Sequence, residues 1–501
     1  MEVNEFEDKT EQFLQWFKSL PGATFREDLE IRDLRSQGAG RGIIATHDIA
    51  EDTTLFTIPR HSIINTATSE LGRRLPHVFS ECQQSGQAEG EAEDQDGEIG
   101  AEAPDQWLSL ILVMMYEFLH QSTSFWRDYL QVLPDSFETP MFWSLEELSH
   151  LQASSLIEKI GKEQAEDIFR SRLLPVIRKY AEVFYPNGTA SLSDQNLLSL
   201  AHRMGSAIMA YAFDLENDED DTTSNANSDQ NNDGWIEDND GQAMLGMVPM
   251  ADMLNADAEF NAICQLTSSC FQAHVNHGEN SLTVTSLRPI KAGEEILNYY
   301  GPHPNSDLLR RYGYVTPKHS RYDVVELRWE TILSIAKQLL NISEVTWGKA
   351  LSMMDPEELE DTFVLERDSR GPDSDGLLKA LPTQPRIPSD MEEQINLFLK
   401  SINKIDSSTS LDRPKRKAAI HAIASKVFEA KLAQYQTTVE EDAQLLLSNP
   451  SMPLRKRMAI AVRMGEKKLL QEALQAMESE VVDHTGAVDS NQPPRKKVRA
   501  Y

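Results

Sequence analysis

The sequence predicts an α+β fold: a β-region interrupted by a long helical insertion, followed by an all-α domain. Three observations carry that reading. Two strand–turn–strand phrases stand far apart, near residues 29–59 and 281–299. Between them, over about residues 69–213, apolar residues recur at helical rather than alternating spacing. Beyond about Tyr322 only helical spacing is left.

Taken in order, Met1–Leu20 is acidic and amphipathic, with no basic flank and no apolar centre, and is not expected to be a signal peptide. Ile31–Arg35 alternates, Gly38–Gly42 turns, and a strand restarts at Ile43. Leu55–Pro59 is a further strand. The insertion reads as helices over Trp107–His120, Leu145–Lys162, Glu163–Phe184 and Ser193–Phe213. Trp107–Leu119 is too short to cross about 30 Å of hydrocarbon and contains Glu117, so it is expected to be a buried helix. The second phrase alternates over Ser281–Leu287, turns at Arg288–Gly293 and resumes as a strand over Glu295–Tyr299. Ile395, Phe398, Leu399 and Ile402 then form one apolar helical stripe. Helices follow at Lys415–Gln434, Val439–Leu447 and Leu454–Met477.

Composition narrows the class. A chain of 501 residues with 40% hydrophobic and 26% charged residues is globular and long enough for two or three domains. Cys82, Cys264 and Cys270 cannot supply a disulfide framework or a four-thiolate zinc site, which predicts a reduced, intracellular protein with no structural metal. The formal charge of −32 is uneven. Eight acids lie in 89–105 and eleven in 214–240, with no base in either stretch; without these nineteen the charge falls to −13. Both tracts are low-complexity and are expected to be disordered, over about 86–105 and 214–240. Such a field favours basic partners over nucleic acid or membrane.

Three stretches can carry chemistry. The glycine cluster Gly38-Ala39-Gly40-Arg41-Gly42 lacks the spacing and the following helix of a dinucleotide fingerprint; it is a tight turn whose bare backbone lets a small ligand approach. Pro249–Asp257 is an apolar run ending in Asp and Asn, a helix cap or a set of amide contacts at a core edge. Asn298-Tyr299-Tyr300-Gly301, followed by Asn305–Val315, ends a strand in paired tyrosines and starts a helix that stops at Tyr312-Gly313.

Together these stretches resemble the SET-domain protein-lysine methyltransferases, in the branch that holds Rubisco large-subunit methyltransferase and the SETD-type enzymes. "GIIATHDI", "LFTIPR", "VPMADMLN" and "AGEEILNYYGPHPNSDLLRRYGYV" carry the likeness at both ends of that domain. Tyr435–Asp442 and "RKRMAIAVRMGEKKLL" (455–470) are similar to the family's C-terminal substrate-binding domain. "HPNSDLLRRYGYV" is most like the fungal ribosomal-protein lysine methyltransferase four group. The expected boundaries are a SET domain at 21–317, a substrate-binding domain at 320–480 and a disordered basic tail at 481–501.

The resemblance implies S-adenosylmethionine as cofactor and a lysine of a basic, large-subunit ribosomal protein as acceptor. It implies Tyr300 as the catalytic hydroxyl, with Tyr299 as alternative if the register slips by one. Gln37, Gly38, Ala39 and Gly40 would meet the donor's methionine part, Asn255 with Ala256 its adenine, and Tyr312 would lie beside the donor. Where relatives have Asn-His this chain has Asn255-Ala256. Where they have Ser-Arg it has Ala210-Tyr211, so Tyr211 is expected beside the cofactor and Asp214 at the substrate channel. Trp126 matches an aromatic of that channel. Two other readings stand: an inactive SET-fold chaperone for basic ribosomal proteins, and an enzyme acting on histidine. Asp229–Asp240 fits most of a calcium-loop template but has no flanking helix. Arg495–Arg499 resembles an importin-read signal, which predicts a nuclear location shared with the cytoplasm.

Overall fold

A computed structural model of the chain describes residues 2–79, 106–185, 190–215, 244–264, 281–355, 359–405 and 412–486. The acidic tract at 86–105, the second tract from residue 216 onward, the calcium-like loop and the basic run at 495–499 therefore lie outside the described residues.

Among the described residues there are ten short strands: β1 Thr24–Phe25, β2 Leu29–Asp33, β3 Arg41–Ala45, β4 Thr54–Pro59, β5 Ala212–Leu215, β6 Met244–Met247, β7 Ala262–Cys264, β8 Ser281–Ser286, β9 Val325–Arg328 and β10 Thr362–Leu365. They form a four-stranded sheet in the order β1-β4-β8-β7 and three two-stranded ribbons, β2-β3, β5-β6 and β10-β9. Every named pair is antiparallel, and β4 meets β8 with Phe56 opposite Val284. Strands distant in sequence are thus neighbours in space, as two phrases bracketing an insertion require.

The stretch expected as a strand over Glu295–Tyr299 is extended but is not one. It makes only isolated bridges, Glu295 with Ile44 and Asn298 with Ala256. Its partners alternate between two walls: Ile296 N–H donates to Ile43 O (2.8 Å), while Asn298 N–H donates to Asn255 O (2.8 Å). The segment is threaded between β3 and the 254–262 stretch, and neither wall forms a continuous ladder.

The insertion is helical but more broken than its periodicity suggests. Gln106–Leu119 is one helix, and Glu117 sits inside the core because its carboxylate accepts from Ser69 Oγ and Ser124 Oγ, both at 2.6 Å. Leu145–Lys162 is instead a helix at Leu145–Ser149 and a 3-10 turn at Ser155–Lys159. Gln152 turns the chain with φ +55, and Ser154 caps the new turn. Helix Asp194–Tyr211 ends two residues earlier than expected. Ala212–Leu215 turns into β5, so Asp214 belongs to a paired strand and not to an irregular loop.

The C-terminal region is helical with one addition, the β9-β10 ribbon. Its core gathers Ile395, Phe398, Leu399 and Ile402 from helix Ser389–Ile405, as the stripe predicts, with Ile423 and Phe428 of helix Arg413–Leu432. The last helix, Leu454–Gly486, runs past the expected end near Met477. It also ties this region to the insertion. Arg455 Nε donates to Glu138 Oε2 (2.7 Å), Arg463 Nη1 to His150 O (2.5 Å), and Glu466 Oε1 accepts from Ser154 Oγ (2.6 Å).

Helix Val439–Ser448 is pinned to the last helix through a buried carboxylate. Asp442 is fully buried and accepts from Arg463 Nη2 and Lys467 Nζ, both at 2.6 Å. Lys467, also fully buried, gives further bonds to Thr437 O (2.7 Å) and Thr438 O (3.0 Å). Removing one partner of such a set strands the others without charge compensation. Asp442→Ala is therefore expected to lower stability by about 3–5 kcal/mol, read as a shift of the urea midpoint at neutral pH.

Candidate functional site

The threaded segment ends in Tyr299-Tyr300-Gly301, and neighbouring side chains of extended backbone point to opposite faces. On one face Tyr299 stacks on Phe260 (4.9 Å between centroids). On the other, Tyr300 stacks on Tyr312 (4.7 Å, 24°) and its hydroxyl donates to Leu254 O at 2.9 Å. Tyr314 lies 6.1 Å from Tyr312, ring to ring. Tyr211 comes in from the end of helix Asp194–Tyr211 and packs with Tyr312 against Phe137, Ala207 and Ala210. The structure thus brings Tyr300, Tyr312 and Tyr211 to one place and turns Tyr299 away from it.

All four tyrosines of this group keep part of their surface open, whereas the residues behind them are closed off. Asp252 is buried there and accepts from Tyr129 Oη at 2.5 Å. Its 3-10 turn, Ala251–Met253, follows Met250, a non-glycine residue held at φ +81. Strain of that kind persists where surrounding packing over-determines the backbone.

Burial governs the proton chemistry. It pushes the Tyr300 hydroxyl well above its ordinary value, with the nearby Tyr314, Tyr312, Tyr211 and Asp252 adding to the rise. Tyr211 is pushed up to about 12 by burial and then by Asp252. Asp252 rises to about 7 through burial, which outweighs the Tyr129 bond and the backbone N–H groups of Asp252 and Met250. These phenols remain neutral near neutral pH and serve as hydrogen-bonding groups rather than anions.

The glycine loop is joined to the same threaded segment. A 3-10 turn at Arg35–Gln37 ends in Gly38 at φ +84, the left-handed region open to glycine. Gln37, Gly38 and Gly40 are exposed and Ala39 is partly so; a Cβ on Gly38 or Gly40 would meet nothing within 4 Å. Gly42 is different. A Cβ there would strike Leu34 Cδ1 and Glu295 Oε1 and come within 3.0 Å of Asn255 Nδ2. That close approach lets Asn255 Nδ2 donate to both Glu295 Oε1 (2.7 Å) and Arg41 O (3.1 Å), fastening the loop to the threaded segment.

A sulfonium donor with an adenosine tail fits these residues. Gly38 and Gly40 have open backbone, Tyr211, Tyr300, Tyr312 and Tyr314 have partly open rings, and Asn255 Oδ1 makes no hydrogen bond among the described residues. That atom could accept from an adenine amino group. Ala256 adds its carbonyl, which accepts from Tyr314 Oη at 3.4 Å.

One expected residue is placed elsewhere. Trp126 is buried in the main core, its Nε1 donating to Ser62 O (2.7 Å) and its ring edge-on to Phe125. Asp214 is exposed on β5, three residues past Tyr211. Several residues were missed. Asp252 stands in the quoted "VPMADMLN" as a charge inside an apolar run, and Tyr314 follows Tyr312 by two. Nothing local marks Tyr129 or Asn261.

Comparison with known proteins gives matching results. The SET-domain profile matches residues 40–301 and the Rubisco LSMT substrate-binding profile residues 349–470. The chain is 32% identical over 339 residues to "Ribosomal lysine N-methyltransferase 4" of Saccharomyces cerevisiae, covering 67% of this chain and 61% of that protein. The chain thus spans less than two thirds of the yeast protein's length. It is 26% identical to "N-lysine methyltransferase setd6" of Danio rerio, covering 92% and 94% of the two chains. Among solved structures, the SET domain of LSMT bound to lysine and AdoHcy superposes with a TM-score of 0.56 at 18% identity, over 95% of this chain and 92% of that one. That likeness shows the fold.

Because Asp252 holds its proton in the folded protein up to about pH 7 but releases it near its ordinary value when unfolded, its contribution to stability falls as pH rises between those limits. Asp252→Asn should leave the urea midpoint unchanged near pH 4. At pH 8 it should raise stability by roughly 2–4 kcal/mol over the wild type.

Proposed function

The chain belongs to the SET-domain lysine N-methyltransferases that carry a Rubisco LSMT substrate-binding domain, and from that premise we propose that it methylates a lysine of a large-subunit ribosomal protein. The observation that carries the catalytic part is the Tyr300 hydroxyl, bonded to Leu254 O with its ring stacked on Tyr312, and with the glycine loop fastened to the same segment.

The chemistry asks three things of the site. A free lysine with a pKa near 10.4 is almost wholly protonated at neutral pH, so the amine must be desolvated before it can attack. The rings of Tyr211, Tyr300, Tyr312 and Tyr314 supply that low-dielectric surround. The attacking nitrogen must also be oriented, and the Tyr300 hydroxyl, kept neutral by burial and fixed by Leu254 O, is the polar group placed to do it. When bound, S-adenosylmethionine supplies an electrophilic methyl on a positively charged sulfur. Gln37, Gly38, Ala39 and Gly40 would hold its methionine end, with Asn255, Tyr312 and Tyr211 around the remainder.

The ribosomal acceptor rests on the names of the Saccharomyces cerevisiae relative and of a Schizosaccharomyces pombe relative at 25% identity. The charge of −32 supports it, since an acidic surface draws basic ribosomal proteins at low salt. For location we propose the nucleus, with Arg495–Arg499 as the importin-read address.

Tyr300→Phe should cut methyl transfer by roughly 100-fold or more while leaving affinity for S-adenosylmethionine within a few-fold. Turnover equal to the wild type would overturn the assignment. Labelled-methyl transfer onto ribosomes from a deletion strain should mark a lysine of one large-subunit protein; label on histidine would identify a different acceptor.

A further inference from the structure

The loop that carries Gln37–Gly40 is closed at its base by the pairing of Asp33 with Arg41, and one ring from the N-terminal helix lies against both of its ends. Arg35 opens the loop and Arg41 ends it, and their guanidinium carbons lie 4.0 and 3.8 Å from the centroid of Phe6. Phe6 belongs to helix Glu2–Ser19, whose contribution to the main core is made by Phe13 and Phe17 further along. The Phe6 ring stands outside that core and is partly open.

Both cations are held in place. Arg41 donates through Nε to Thr10 Oγ1 (2.8 Å), through Nη1 to Val132 O (2.9 Å) and through Nη2 to Phe6 O (3.3 Å). Asp33 grips Arg35 at both Nε (3.0 Å) and Nη2 (2.7 Å). Two like charges so close would separate without a shared counter-surface. The negative faces of an aromatic ring supply one, and Asp33 supplies another. The loop itself is tied by Leu34 N–H to Gly40 O (2.9 Å) and Gln37 N–H to Leu34 O (2.8 Å), whereas the donor-facing amides make longer bonds, Ala39 N–H to Leu34 O (3.2 Å) and Gly38 N–H to Arg35 O (3.1 Å).

We propose that Phe6 is a positioning residue for methyl-donor binding: its ring joins the two ends of the glycine loop and holds the loop backbone in its receiving shape. This rests on the reading of that loop as the donor's seat. Phe6 touches neither donor nor acceptor, so it acts on donor affinity and not on the chemical step.

The test uses the full chain with Phe6→Leu, which keeps apolar bulk and helix propensity but removes the ring, and Phe6→Tyr, which keeps the ring. Calorimetry with S-adenosylmethionine should show Kd raised about 10-fold for Phe6→Leu and restored to within two-fold for Phe6→Tyr. In steady state, KM for the donor should rise alike, with kcat at saturating donor within two-fold of wild type. Without donor, hydrogen exchange at Gly38 and Ala39 should quicken in Phe6→Leu, while the Phe13–Phe17 part of the helix is unchanged. Wild-type affinity in Phe6→Leu overturns the proposal, whether or not the loop amides exchange faster. Unchanged exchange overturns it as well. A wild-type protein that takes up no donor overturns instead the functional reading beneath it, and the exchange result then still reports on the clasp.

Discussion

The structure depends on holding one extended segment, Glu294–Tyr300, between two walls that do not touch it as a sheet. Asn261 does most of this. Its Nδ2 donates to Glu295 O (2.7 Å) and its Oδ1 accepts from Leu297 N–H (2.8 Å), so one side chain supplies the pair of bonds a neighbouring strand would make. From the opposite side, Ala45 N–H donates to Glu294 O (2.9 Å) and Ile296 N–H to Ile43 O (2.8 Å). Backbone groups in a buried crossing must be satisfied individually. The direction in which Tyr300 leaves the segment follows from that pairing.

The same constraint explains why so much polar chemistry is buried close by. Glu295 is raised by burial, opposed by the Asn255 bond, and Asp252 sits behind the tyrosines at about 7. Buried polar groups are costly without partners and directional with them. Here they fix the spacing between the glycine loop, the threaded segment and the 254–262 stretch, whereas apolar contacts alone would let those three slide. The tyrosine rings then sit on a framework that is already tied down.

The join between the N-terminal part and the C-terminal helices is fastened by charged and polar groups on one helix. Arg455, Arg463 and Glu466 all turn toward the insertion, and Glu466 also accepts from Tyr435 Oη (2.8 Å). Their run in the sequence is basic, and taken alone it suggests a solvated face presented to a partner. Arg455, Arg463 and Lys467 are instead used internally, while Arg457 and Lys468 stay exposed.

Much of this was legible in the chain itself. Alternation and helical spacing marked β2, β4, β8 and the apolar stripe of helix Ser389–Ile405, because local pattern reports which face is buried. Glycine spacing and the paired tyrosines marked the loop and the segment end. Other features depended on residues far apart in the chain. Whether Tyr299 or Tyr300 joins the tyrosine group is a matter of which wall each residue of the segment bonds. The company of Tyr300, Tyr312, Tyr211, Tyr129 and Asp252 requires the insertion to fold back on both ends of the β-region, and Phe6 reaches Arg35 and Arg41 only because the N-terminal helix lies across them. Periodicity encodes burial along a single element; the meeting of elements is set by closure of the whole core, so the site took its final form only in three dimensions.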